Sequence, residues 1–189
     1  MTIPLHEKDN QMMHFKAAKY VFVSLGVLAL SGSPCVAQNT IFVQFSGLNC
    51  QGAADPNFPG SAISSVSLEG DNPVSFNTTG GGSGKVSFTD IKLVKTLDDC
   101  TPLLFQNLAM GTQFQAVTIK IVSPATASTP ATPLVIIQLS NASLSSDQLV
   151  QAAGGRPSEL VTVAFVKITL THVPSNKTFS WNIQTNSSN

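Results

Sequence analysis

GGGSGKVSFTDIKLVKTLDDCTPLLFQNLAMGTQFQAVT, residues Gly80–Thr118, is the most sharply punctuated stretch of the chain. A glycine-rich segment (Gly80, Gly81, Gly82, Ser83, Gly84) leads through Lys85 into strand-like residues that run to Leu97. A short segment with helix start and stop signals follows, and a second strand begins at Gln113. The helix reading takes Thr101 as N-cap, Pro102 at the first helical position, where a missing N–H is harmless, and Gly111 as the left-handed residue past the last turn. Leu104, Leu108 and Phe105 fall at helical spacing and are expected to cover one opening of a barrel or sandwich. The glycines do not form a phosphate cradle, which needs a lysine followed by serine or threonine at a helix start, whereas Lys85 opens the strand VSFTDIKLV. They read as a flexible surface loop. In that strand Val86 and Phe88 share one phase while Ile91, Leu93 and Leu97 share the other, so a bulge near Thr89 and Asp90, or burial on both faces, is expected. Asp98 and Asp99 sit at the positive end of the helix, which explains them better than acid–base chemistry does.

Outward from this stretch the chain reads as strands joined by turns. Thr40–Leu48 puts Ile41, Val43 and Phe45 on one face, with Phe42 and Gln44 opposite. Asn49–Gly60 is loop by composition, and Ser61–Asn77 is two strand pieces interrupted at residues 70–73. Gln113–Ser123 alternates Val117, Ile119 and Ile121 against Thr118 and Lys120, a half-exposed strand of a hairpin with Pro124–Pro133 as its tip. Leu134–Leu144 is a further strand, and Ser145–Pro157 reads as an exposed loop. In Leu160–Leu170 the even positions are almost wholly apolar, while the apolar odd positions Val161, Val163 and Phe165 form an outer face that needs cover from the helix or a partner subunit. Thr178–Ile183 is expected to turn Phe179, Trp181 and Ile183 into the barrel core. Many strands, short turns and one helix give an all-β fold, a compact two-sheet β-barrel or sandwich with one short flanking α-helix.

The N-terminus looks like a processing segment. Lys16 and Lys19 precede an apolar run of ten, Val21–Leu30, and Ser31–Ala37 supplies a helix breaker and small residues. These are the parts of a secretory signal peptide cleaved after Ala37, and ten apolar residues are about half of the ~20 that a membrane-spanning helix needs. Residues 1–37 are therefore assigned to a signal peptide and 38–189 to a single domain, with no stable membrane insertion after cleavage and a periplasmic or secreted destination. Met12 and Met13 are alternative starts.

Removal of the signal takes with it three lysines and two acidic residues, leaving a net charge of about −1 and His172 as the only histidine. Such a balance carries no nucleic-acid footprint. His172 at a strand end reads as a surface side chain, and two cysteines with one distant histidine make no metal set. No catalytic, cofactor-binding or metal-binding residue is assigned, and no cofactor is expected. Cys35 also leaves, so Cys50 and Cys100 remain as a pair. An even count in an exported chain favours a disulfide, worth on the order of 4 kcal/mol for a loop of this length, with two buried thiols as the alternative.

The segment GGGSGKVSFTDIKLVKTLDDCTPLLFQNLAMGTQFQAVTIKI, the later SELVTVAFVKITLTHV and the closing TFSWNIQTN together resemble the Hcp family, the tube-forming proteins of bacterial type VI secretion systems. The resemblance runs over roughly Thr40–Asn186 and is carried by a spaced set of motifs: a GSGK loop, a strand, an aspartate before Thr-Pro-Leu, a helix, a glycine and a hydrophobic strand. It implies a barrel that assembles as a homohexameric ring, able to stack into a hollow tube and to carry effector cargo. On this reading Gly80–Gly84 is the ring-contact loop, Thr101–Met110 the helix and Trp181 a barrel residue. The chain departs from the family in its apparent signal peptide, in its cysteine pair, and in the absence of tryptophan around Ser65–Gly70. The alternative to a ring is a secreted monomeric β-domain that binds a ligand or a cell surface.

Overall fold

The computed structural model describes residues 38–50, 57–77, 80–151 and 153–188, so the proposed signal peptide lies outside the described residues. The elements are β1 (Thr40–Phe45), β2 (Ser61–Ser67), β3 (Gly70–Asp71), β4 (Val74–Asn77), β5 (Gly80–Ser83), β6 (Ser87–Phe88) and β7 (Ile91–Thr96). They continue with α1 (Thr101–Met110), β8 (Gln113–Ser123), β9 (Thr132–Val150), β10 (Ser158–His172), a 3-10 turn (Val173–Ser175), β11 (Lys177–Asn182) and β12 (Ser187–Ser188).

Six strands in the order β10-β7-β2-β1-β8-β9 close into an antiparallel barrel through the β9–β10 ladder. Closure removes the free edges that a flat sheet of such apolar strands would expose. β10 outruns β7. Its first half pairs with β7 from Ser158 to Val163, and its second half pairs with β11 from Lys167 to His172. One rung shows how the core is filled: Leu139 of β9 lies opposite Val117 of β8 on one side and Ile168 of β10 on the other, and all three are buried. Outside the barrel wall the outward-facing Phe42 is covered by Phe58, with ring centroids 5.4 Å apart.

Several expectations change. Ser145–Val150 is not loop but the end of β9, because backbone pairing with β10 satisfies its polar groups whatever its serine-rich side chains prefer. In β10 the apolar odd positions are not an outer face: Val161 and Val163 are completely buried inside the barrel. Ile168, at an even position, is buried further along, and the ladder shifts register between Thr162 and Val163. A strand that bends between two partners turns different faces inward along its length. Phe179 is not in the core either. It is 45% exposed and stacks on Trp181, which together with Ile183 is half-buried, because β11 lies outside the six-stranded barrel and pairs with the half of β10 that runs beyond β7.

Helix α1 packs against β9 and places Leu104 in the core, with Leu108 packed against it. Gly111 takes φ 64°, and the Gly111 and Thr112 N–H groups donate to the carbonyls of Leu108 and Asn107 (3.1 and 3.0 Å), closing the helix as read from the sequence. Its start differs. Cys100 is the N-cap, Thr101 the first helical residue and Pro102 the second. The Thr101 hydroxyl is used inside the barrel instead.

Gly60, at φ +118°, lets the chain enter β2 beneath β1, and a Cβ there would overlap the Val43 carbonyl. Gly60→Ala is expected to cost about 1–3 kcal/mol from backbone strain alone, with the overlap in addition, read as a lowered urea midpoint at unchanged m-value.

Candidate assembly arm and buried charge cluster

The glycine segment does not form an irregular loop. Gly80–Ser83 is β5, paired with β4 as Val74↔Ser83, Ser75↔Gly82, Phe76↔Gly81 and Asn77↔Gly80. A main-chain ladder needs no side chains, so glycine can supply it where its composition argues for a coil. The pairs Ser67↔Lys92, Gly70↔Phe88, Asp71↔Ser87 and Val74↔Ser83 are rungs of one long hairpin, β2-β3-β4 against β5-β6-β7. Its near end belongs to the barrel and its far end leaves it as a two-stranded arm. At the foot of the distal segment the Gly84 N–H donates to the Pro73 carbonyl at 2.7 Å. β4 and β5 pair only with each other, so each keeps one edge unpaired. An isolated two-stranded ribbon is marginal in water, and its free edges can accept further strands.

Inside the barrel, at the end where α1 begins, sits a charged cluster. Lys95 (1% exposed) and Glu159 (0%) are cross-strand neighbours on β7 and β10. The Lys95 ammonium donates to Asp98 Oδ1 at 2.7 Å, Glu159 Oε2 at 2.7 Å and Thr101 Oγ1 at 3.2 Å, which uses all three of its protons. Thr101 Oγ1 in turn donates to Glu159 Oε2 at 2.5 Å. Asp98 also accepts the Cys100 N–H at 2.9 Å, so its role is to pair with Lys95 and tie down the helix start rather than only to face the dipole. Asp147 of β9 completes the group. Its carboxyl is pushed up to about 7, first by burial and then by the charge of, and a hydrogen bond to, Glu159, with Lys95 opposing. Among the described residues no other group donates to either Asp147 oxygen or to Glu159 Oε1.

Sequence reasoning passed over Lys95, Asp147 and Glu159. The signal was present in two of them: Lys95 has the parity of the buried Ile91 and Leu93, and Glu159 that of the buried Val161 and Val163. A charge at an inward position of a strand asks for a partner at an inward position of its neighbour.

Cys50 and Cys100 are bonded as a disulfide with their Cα atoms 5.2 Å apart, so the free-thiol alternative falls away. Cys100 is 1% exposed, directly before the helix and within the core cluster.

The sequence profile of the family described as "Type VI secretion system effector, Hcp" matches residues 60–172, more than half of the chain. The chain belongs to the Hcp family. The match spans the arm, α1 and every member of the charge cluster, and begins after Cys50, so half of the disulfide lies outside it. Solved Hcp structures share the fold. Hcp1 from Salmonella typhimurium is 15% identical with a TM-score of 0.66, covering 80% of this chain and 99% of that one. A type six secretion system protein is 16% identical with a TM-score of 0.68 over 80% and 99%. Hcp1 from E. coli EAEC 042 is 17% identical with a TM-score of 0.64 over 77% and 98%. No curated protein shows significant sequence similarity to the chain. In this Hcp protein His172 is exposed, with Nδ1 2.7 Å from the Ser175 hydroxyl. Among the described residues no helix is long and apolar enough to cross a membrane.

Proposed function

We propose that this Hcp protein is a non-enzymatic structural subunit, exported through the signal peptide at residues 1–37, that closes into a homohexameric ring by way of the arm Val74–Ser83. The observation that carries the reading is that arm: two strands that pair with each other alone, projecting from an otherwise closed barrel and lying within the family match. In a head-to-tail ring each subunit offers one surface and receives a different one, which suits a projecting ribbon docking on the neighbour's wall. Stacking of rings into tubes and carriage of an effector in the lumen belong to the same reading.

Light scattering after size exclusion of residues 38–189 tests it. A mass of about six subunits at micromolar concentration is expected, and a monomer persisting to near-millimolar concentration would favour a secreted ligand- or surface-binding domain. Deletion of residues 74–83, rejoining Pro73 to Gly84 where their backbones already hydrogen-bond, should leave the barrel folded by circular dichroism and abolish the ring.

A further inference from the structure

Two features converge on the first turn of α1. The disulfide fixes Cys100 to the segment that follows β1, and the flanking residues Asp98 and Thr101 supply two of the three partners of the Lys95 ammonium. Asp98 Oδ1 holds the Cys100 N–H and Lys95 together, and the Asp98 N–H donates to Thr101 Oγ1 at 3.2 Å. Movement of Cys100 therefore moves the groups that cover Lys95 and Glu159. We infer that the Cys50–Cys100 bridge is a redox latch on the buried charge cluster: oxidised, it holds the first turn of α1 down on Lys95, Glu159 and Asp147; reduced, it lets that turn open and water reach them.

The latch closes in an oxidising compartment and stays open among cytoplasmic thiols, so it is set by where the chain resides. It depends on neither ring formation nor the arm. The opening is local, since the β8–β9 and β9–β10 ladders are independent of the bridge.

The groups that face Asp147 from β9 are Glu159 on β10 and Lys95 on β7, with Asp98 and Thr101 beyond Lys95 in the turn that enters α1. The folded-state value for Asp147 lies above its unfolded value of 3.8, so its contribution is fully present below that value and is lost as pH rises through about 7. Water entering the opened cluster removes the burial that holds the value up and so weakens this dependence.

Hydrogen exchange and thermal unfolding of the full exported protein test the latch, with and without a phosphine reductant, alongside the Cys50→Ser/Cys100→Ser variant. Reduction should speed amide exchange across residues 100–104 by roughly tenfold or more while β8 and β9 stay protected. The fall in melting temperature between pH 4 and pH 7 should flatten on reduction. Asp147→Asn should flatten it in the oxidised protein without altering exchange in α1. Unchanged exchange in α1 together with an unchanged pH profile would overturn the latch. So would loss of protection throughout the barrel, since the bridge would then be a global staple.

Discussion

Lys95→Met is expected to lower folding stability by about 3–5 kcal/mol, the cost of breaking a buried ion pair from one side. The ammonium is completely enclosed, and removing it leaves Glu159, 0% exposed, without its charged partner, beside the Thr101 hydroxyl and the carboxyl of Asp147. Urea unfolding at pH 7 reads the loss. The double variant Lys95→Met/Glu159→Leu removes both charges and should recover a large part of the loss, because a buried pair replaced by apolar groups of similar volume is often close to neutral. Recovery would separate the cost of an orphaned charge from that of a disturbed strand. If the double variant were as unstable as the single one, the packing of the lysine stem, and not its charge, would dominate.

Leu139→Ala should cost about 2–5 kcal/mol. Leu139 is fully buried at the centre of β9, flanked in register by Val117 and Ile168, and each neighbour is held by its own ladder. A closed barrel cannot shift one strand inward without breaking pairings on both sides, so the cavity stays open and the loss belongs at the upper part of that range. Leu139→Met keeps most of the volume and should cost less than about 1.5 kcal/mol. Chemical denaturation of the pair of variants reads the difference directly, and equal losses would mean that shape rather than volume decides this rung.

How much of the molecule was legible beforehand follows from what each signal measures. Alternation reports which face of a strand is buried, and it located β7, the core face of β1 and the middle of β8 at Val117 and Ile119, where the inward positions keep one parity. It failed in β10, where the ladder shifts and the inward parity changes between Val163 and Ile168. It failed again at Phe179, whose parity matches Trp181 but which sits on β11, a strand outside the closed barrel. Composition misjudged Gly80–Ser83 and Ser145–Val150, since backbone pairing holds strands that have little side-chain preference for being so. Gly111 was legible because a left-handed residue has few occupants. Thr101 was misplaced by one position because its hydroxyl has a stronger claimant in Glu159 than the helix N–H groups. The charge cluster joins three strands and a helix start, and only the closed barrel brings them together.

The same closed barrel makes the arm conspicuous. Every barrel strand has neighbours on both sides, while β4 and β5 have only each other. Electron microscopy of purified residues 38–189 tests this account most directly. It predicts six-fold rings in which the Val74–Ser83 arm of each subunit lies across the wall of the next; single barrels, or closed dimers with the arm free in solvent, would contradict it.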